Sequence, residues 1–260
     1  MTAAPASRTG PTPGLPGTRR VVVTGAGGGI GEAIARAFAA TGDQVTVADV
    51  NDEAAHRVAQ DIGGRPWTVD LSDTAALAQL QLDCDVLVNN AGVQHVSPVE
   101  EFPPDKFRFI LALMLEAPFL LIRSALPYMY GRGWGRIINI SSVHGLVASP
   151  YKSAYVSAKH GLEGLSKTVA LEGGGRGVTS NCICPGYVQT ALVAGQVADQ
   201  ARTRGIAPEA VMEQVFLAEM AVKRMVQPAE VADLAVFLAG PAAGMANGGS
   251  YPLDGGWSAR

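Results

Sequence analysis

Short apolar runs that favour β-strands alternate with longer runs of helical pattern along most of the chain. The predicted strands are Arg20–Thr24, Gln44–Asp49, Trp67–Asp70, Val86–Asn89, Arg136–Ser141 and Thr179–Ile183. The predicted helices lie at about 30–41, 52–61, 73–81, 105–130, 153–172 and 228–239. Strands that alternate with helices pair in parallel and are covered by helices on both faces. This order therefore predicts a single-domain, Rossmann-like α/β fold with a doubly wound parallel sheet.

Charge and hydropathy exclude some classes of partner. The 260 residues carry 20 Lys and Arg against 23 Asp and Glu, a net charge of −3. A nucleic-acid-binding domain needs a basic face, which this balance does not favour. The longest uninterrupted apolar run, 109–115, is far shorter than the roughly 20 residues that span a bilayer. We therefore expect no nucleic-acid partner and no membrane partner.

The first residues differ in composition from the rest of the chain. Residues 1–18 are rich in Pro and Gly and lack the apolar core of a secretory signal, so they predict a disordered leader before a domain at 19–260. Cys84, Cys182 and Cys184 form no CxxC pair and no metal-like cluster. This usage predicts reduced, packed thiols in a cytoplasmic protein that holds no metal.

A glycine-rich segment, 24–31 (TGAGGGIG), follows the first predicted strand and begins the first helix. In that context glycines form a tight turn and let a dinucleotide pyrophosphate approach the helix N-terminus. Asp49 ends the second strand, where a carboxylate binds the ribose hydroxyls of NAD and repels the 2′-phosphate of NADP. Val50, Asn51 and the glycine loop supply no cation for that phosphate, so NAD is the predicted cofactor.

Tyr155 and Lys159 are four residues apart and share one face of a predicted helix. A phenol titrates near pH 10, so a tyrosine base needs a nearby ammonium to lower its pKa. Ser142 lies at the carboxyl end of a predicted strand, the edge of a parallel sheet where ligands bind. Its hydroxyl is placed to hydrogen-bond a substrate oxygen whose proton Tyr155 removes.

Taken together, residues 19–260 resemble the short-chain dehydrogenase/reductase family. The resemblance rests on the glycine loop, the segment Asn89-Asn90-Ala91-Gly92, Ser142, the Tyr155/Lys159 pair, and Pro185-Gly186. It implies that Tyr155 is the acid/base, that Lys159 lowers its pKa and holds the nicotinamide ribose, and that Ser142 polarises the substrate oxygen. The cofactor-binding residues it implies are Thr24, Gly25, Gly29, Ile30, Gly31, Asp49, Asp70, Leu71, Asn89, Gly92, Tyr155, Lys159, Pro185, Gly186, Val188 and Thr190.

One position departs from the family pattern. Met114 stands where the family usually has an asparagine that holds a helix bend and helps to anchor a water of the proton relay. Methionine cannot donate those hydrogen bonds, which predicts slowed turnover or a repaired relay. It also leaves open a cofactor-binding protein that has lost catalysis.

Within the family, segments such as NNAGVQHV and SVHGLVASPYKSAYVSAKHG resemble the (R)-3-hydroxybutyrate dehydrogenases. This likeness implies that a small hydroxy or oxo carboxylic acid is bound by Gln94, Ser142, His144, Lys152, Tyr155 and Gln196. A four-carbon acid offers little apolar surface, so charge-assisted hydrogen bonds must supply its affinity. The alternative within enzymes is an NAD-dependent reductase for a longer 3-oxo acid or another hydroxy compound.

Two further expectations concern mobile and terminal segments. Residues 191–215, polar and interrupted by Gly205 and Pro208, predict a lid that closes on substrate. The resemblance also implies a homotetramer in which Trp257, near the C-terminus, packs into a neighbouring subunit's site.

Overall fold

The structure, a computed structural model, describes residues 18–259. The predicted leader, residues 1–18, lies outside the described residues except for Thr18. The described residues fold around one parallel sheet, which has helices packed on both of its faces.

Seven parallel strands make the sheet, in the order β3-β2-β1-β4-β5-β6-β7. They are β1 Arg20–Thr24, β2 Gln44–Asp49, β3 Arg65–Thr68, β4 Val86–Asn89, β5 Gly135–Ile140, β6 Val178–Pro185 and β7 Ser250–Leu253. The order reverses between β1 and β4, and ligands bind at such a switch point beyond the carboxyl ends of the strands. The predicted doubly wound fold is confirmed.

Nine α-helices surround the sheet in the described part of the chain. They are α1 Gly29–Ala40, α2 Asp52–Ile62, α3 Thr74–Leu77, α4 Pro104–Leu111, α5 Ala117–Arg132, α6 Ser153–Gly173, α7 Ala191–Ala194, α8 Val197–Arg204 and α9 Pro228–Leu238. The predicted helix at 105–130 is thus two helices, joined by a π-helical turn at Ala112–Glu116. Where the sequence predicted one helix at 73–81, only the four residues of α3 are α-helical.

The two edge strands are where the sequence prediction was wrong. β3 lies two residues earlier than the predicted Trp67–Asp70, and β7 was missed. Both edges are poorly buried and each contains a proline, Pro66 or Pro252, which lacks an N–H donor. Because an edge strand buries little apolar surface, it leaves a weak pattern in the sequence.

One helical run, Pro104–Arg132, is long and apolar enough by length and composition to cross a membrane. The buried core helix of a globular domain passes the same test. Here Leu121, Ile122 and Met129 are fully buried and pack in the cluster that covers one face of the sheet. The core of the domain therefore accounts for part of the apolar surface of this run, while Phe109 and Phe119 remain exposed.

Candidate active site

A cavity of about 550 Å³ opens at the carboxyl ends of the central strands. This volume suits a ligand pocket. The predicted site residues that line it are Gly25, Gly29, Ile30, Asp49, Asp70, Leu71, Gly92, Gln94, Ser142, His144, Lys152, Tyr155, Lys159, Pro185, Gly186, Val188, Thr190 and Gln196. The cavity wall does not include Thr24, Gly31 or Asn89.

The glycine loop between β1 and α1 has the shape that a dinucleotide requires. Gly25 and Gly29 have φ of 63° and 56°, a left-handed backbone that favours glycine. A Cβ on Gly31 would stand 2.2 Å from the Gly25 carbonyl oxygen. No side chain caps the start of α1, whose N-cap is Gly28, so its first N–H groups are left for an anion.

Two of the predicted cofactor residues make structural hydrogen bonds. The Thr24 hydroxyl accepts hydrogen bonds from the N–H groups of Asn90 (2.9 Å) and Ala91 (3.1 Å), which ties β1 to the end of β4. The Asn89 amide donates to Asn139 inside the sheet at 2.9 Å. The side chain that reaches the glycine loop is its neighbour Asn90, which donates to the Thr24 carbonyl at 2.8 Å.

A cation from another element lies beside the loop. Arg57, from α2, donates to the carbonyl of Gly27 at 2.9 Å. Asp49 accepts the N–H of the same Gly27 at 2.8 Å. Arg57 is neither next to Asp49 in the sequence nor part of the glycine loop, and α2 brings it to the loop through the fold.

Tyr155 and Ser142 face the same cavity beyond β5. Burial raises the pKa of Tyr155, and the neighbouring Ser142 hydroxyl partly offsets this effect. The Lys159 ammonium donates to the Ile140 carbonyl at 2.6 Å and lies 5.6 Å from the centre of the Tyr155 ring. The lowering of the Tyr155 pKa by Lys159 stays a prediction.

Lys159 is itself a buried cation, and burial lowers its pKa from 10.5 to about 8. The buried carboxylate of Glu163, one helical turn further along α6, works in the opposite direction and helps to keep the ammonium charged. Glu163 is held in place because Ser250 donates to it at 2.6 Å and the Cys184 thiol donates at 3.1 Å. All three cysteines are free and buried, as predicted.

A second buried ammonium, that of Lys152, lines the same cavity. It donates to the Tyr187 hydroxyl at 3.0 Å and lies 3.5 Å from His144 Nε2. Burial lowers the pKa of Lys152 to about 8 and that of His144 to about 3, so at neutral pH the lysine is charged and the histidine is neutral. Both of these partners of the ammonium are therefore neutral.

Two amide side chains face this cluster with unused hydrogen-bonding atoms. Both amide atoms of Gln94 are buried and have no hydrogen-bond partner, and the same holds for Oε1 of Gln196. Unpaired buried polar atoms cost free energy unless a ligand satisfies them. Of these atoms, Nε2 of Gln94 is a donor of the kind that a carboxylate accepts, and the two amide oxygens are acceptors for a ligand hydroxyl.

Comparison with known proteins agrees with this geometry. Residues 19–201 match the short chain dehydrogenase family. The chain belongs to that family. It is 45% identical over 259 residues to the D-beta-hydroxybutyrate dehydrogenase of Rhizobium meliloti strain 1021, which covers 94% of this chain and 100% of that protein. The chain is an oxidoreductase of the short-chain dehydrogenase family.

Solved structures support the same assignment. 4-Hydroxyisoleucine dehydrogenase complexed with NADH superposes with a TM-score of 0.83 at 28% identity, over 94% of this chain and 100% of that one. A candidate NAD(P)-dependent gluconate 5-dehydrogenase from Beutenbergia cavernae, with NADP bound at low occupancy, gives 0.81 at 35% identity, over 93% and 97%. These structural neighbours thus bind a nicotinamide dinucleotide, and both phosphorylation states occur among them.

In this short-chain dehydrogenase, Met114 sits inside the π-helical turn and is buried against the site. A Cβ on Gly92 would stand 3.3 Å from the Met114 methyl group, and Met114 packs in the same small cluster as Tyr155. The wide turn therefore forms without the asparagine that the family usually has. Such turns are often found at functional sites.

Sequence reasoning missed Tyr187 and did not predict that Trp257 lines the cavity of its own chain. Tyr187 follows Pro185-Gly186, so its position in that motif was the available signal. Trp257 stacks on the Tyr187 ring at 5.9 Å and meets the edge of His144 at 5.3 Å. It reaches this cavity because the tail after β7 folds back over the site.

The predicted lid segment contributes a wall of the cavity through Leu192, Val193 and Gln196. It is not a single open loop, since it folds into α7, α8 and a short helical stretch that ends near Phe216. Of its two arginines, Arg202 pairs with Asp199 at the surface. Arg204 instead lies 5.5 Å from the centre of the Tyr151 ring, next to the Lys152 loop.

Proposed function

We propose that this short-chain dehydrogenase interconverts (R)-3-hydroxybutyrate and acetoacetate with NAD as its cofactor. The observation that carries the proposal is the buried Lys152 ammonium, whose hydrogen-bond partners Tyr187 and His144 are both neutral. A buried charge without a counter-ion is costly, so an anionic ligand stabilises it strongly. A small carboxylate supplies that charge and an acceptor for the unpaired Nε2 of Gln94.

The short distance between the proposed carboxylate site and the reacting atoms also supports a small acid. His144 is two residues from Ser142, and its ring meets the edge of the Tyr155 ring at 6.2 Å between centres. A carboxylate bound at Lys152 and His144 therefore sits only a few ångströms from the Tyr155 hydroxyl. A 3-hydroxy acid places its hydroxyl two carbons from its carboxylate, which matches a compact site of this kind.

The chain's residues account for the proton in this reaction. Ser142 donates a hydrogen bond to the substrate oxygen, and deprotonated Tyr155 accepts the hydroxyl proton from that oxygen. Lys159, buried beneath the tyrosine, holds a positive charge that favours the phenolate once cofactor and substrate close the site. When bound, the oxidised nicotinamide accepts the hydride from C3, so the products are acetoacetate and the reduced cofactor.

The preference for NAD is proposed from Asp49. Its carboxylate lies at the end of β2, lines the cavity and accepts the Gly27 N–H. In this position it suits the two ribose hydroxyls of NAD and repels a 2′-phosphate.

The first test follows NADH formation from NAD with (R)- and (S)-3-hydroxybutyrate in parallel. Turnover of the (R) acid alone is the expected result. Lys152→Met should raise the KM for the acid by about 100-fold or more, because a buried charge pair is lost, with Lys106→Met, at an exposed position on α4, as the matched control. Equal turnover of four- and eight-carbon acids would contradict a small carboxylate site.

Met114 favours a second candidate, a cofactor-binding protein without turnover. Tight binding of NADH in a fluorescence titration, combined with no oxidation of either enantiomer, is the result that this candidate predicts. Restoration of turnover by Met114→Asn would then assign the loss to this position. If neither the unmodified protein nor Met114→Asn turns over, the protein acts on a different substrate.

A further inference from the structure

The glycine loop is held from both sides by charged side chains at one residue. Asp49 accepts the N–H of Gly27 at 2.8 Å, and Arg57 donates to the carbonyl of Gly27 at 2.9 Å. An anion and a cation from different elements thus bind the backbone of the same residue. This is the end of the cavity where Asp49 would meet the adenosine ribose.

Arg57 is not a free cation, because Glu32 in the first turn of α1 engages it. The Arg57 guanidinium donates to Glu32 at 3.1 and 3.3 Å. This bond is the main cause of the lowered pKa of Glu32. Glu32 also accepts from Arg36 at 2.7 Å, and Arg36 in turn pairs with Asp61 at 2.7 Å.

The network therefore balances two arginines against two carboxylates. An arginine that is not paired binds a phosphate by two parallel hydrogen bonds, which makes it the usual partner of a 2′-phosphate. A phosphate beside Asp49 would lie next to Gly27, the residue that Arg57 touches. Arg57 is thus close enough to bind the 2′-phosphate of NADP. Its pairing with Glu32 determines whether its guanidinium is available to do so.

We infer that Glu32 is a specificity-determining residue for the cofactor, which excludes NADP by keeping Arg57 paired. The inference rests on the proposed preference for NAD and adds a second layer to it. Asp49 repels the 2′-phosphate directly, while Glu32 withholds the cation that would attract it. A merely structural Glu32, which only joins α1 to α2, would leave the choice between the two cofactors unchanged.

The experiment measures the Kd values of NADH and NADPH by nicotinamide fluorescence, without turnover. Asp49→Ser provides a background in which direct repulsion is removed. In that background Glu32→Gln should tighten NADPH binding by a further factor of about 10, the worth of one charge-assisted contact, and change NADH binding less than about twofold. Asp61→Asn is the matched control, because it removes one charge from the same network but contacts Arg36 rather than Arg57.

A third substitution tests whether Arg57 is the group released. Adding Arg57→Met to Asp49→Ser/Glu32→Gln should abolish the gain in NADPH affinity. An equal gain from Glu32→Gln and Asp61→Asn would overturn the inference, since net charge alone would explain it. A gain that survives Arg57→Met would overturn it as well.

The same measurements distinguish a failure of the proposed function from a failure of the inference about Glu32. If the unmodified protein binds NADPH more tightly than NADH, the proposed preference for NAD is wrong before any variant is made. If it prefers NADH but oxidises no hydroxybutyrate, the substrate is wrong, and the binding test of Glu32 still applies. Circular dichroism and thermal unfolding of each variant verify that the folded state is intact.

Discussion

Lys152→Met should make the protein more stable at pH 7 while it destroys the proposed carboxylate site. The ammonium of Lys152 is buried, with 3% of the residue exposed, and its hydrogen-bond partners are neutral groups. Its folded-state pKa is about 8 instead of the ordinary 10.5. A methionine of similar length fills the same space without a charge.

The magnitude follows from this difference in pKa. One pKa unit corresponds to about 1.36 kcal/mol, so the buried charge costs roughly 3 kcal/mol of folding free energy at pH 7. Tyr187 loses its hydrogen-bond partner in the variant, which takes back about 1 kcal/mol. The expected net gain is about 2 kcal/mol, or roughly 5 °C in Tm for a domain of this size.

The sign of the pH dependence gives a sharper test. Because the folded pKa lies below the unfolded one, the unfolded chain binds more protons between pH 8 and 10.5, and the penalty from Lys152 fades as the pH rises through this window. At about pH 9.5 roughly 1 kcal/mol of the penalty remains. The advantage of Lys152→Met over the unmodified protein should then be close to zero.

Urea unfolding of the cofactor-free protein at pH 7 and pH 9.5 measures both quantities. Lys167→Met, at an exposed position on α6, is the control and should change stability by less than about 0.5 kcal/mol. A Lys152→Met protein that is less stable than the parent at pH 7 would refute the reasoning. So would a stability advantage that does not shrink between the two pH values.

Four further outcomes follow from the site. The kcat/KM for the hydroxy acid should fall above pH 8, because Lys152 loses its charge there, and a pH–rate profile checks this. Oxidation should quicken relative to reduction as pH rises, because burial raises the pKa of Tyr155 and the base is its phenolate; initial rates in both directions test it. Tyr187→Phe should raise KM several-fold with kcat little changed, since Lys152 loses a neutral anchor; an altered kcat alone would contradict this. Met114→Asn should raise kcat and lower the unfolding free energy by about 2 kcal/mol, because a polar amide enters an apolar cluster; kinetics and urea unfolding give the two readings.

The fold class and the position of the cofactor loop could be read from the sequence alone. The central strands are buried on both faces, so their apolar runs are continuous, and β1, β2 and β4 have the predicted bounds. The local backbone geometry at positions 25, 29 and 31 requires glycine, so the residue types themselves predict the turn. The pair Tyr155 and Lys159 is fixed by helical spacing, a relation between residues only four apart.

Contacts between residues on elements far apart in the chain could not be predicted from the sequence. Asn90 rather than Asn89 reaches the glycine loop, because successive side chains near a strand end point in opposite directions and only pairing with β1 and β5 shows which one faces inward. Arg57 reaches Gly27 across 30 residues of sequence, and Tyr187 reaches Lys152 across 35.

The state of the titrating groups was also decided by tertiary structure. The sequence placed Lys159 near Tyr155, but packing turns the lysine's ammonium to the Ile140 carbonyl and buries it. Spacing along a helix fixes which residues share a face. Hydrogen-bond partners and solvent exposure, which determine a pKa, are set by what other elements pack against that face.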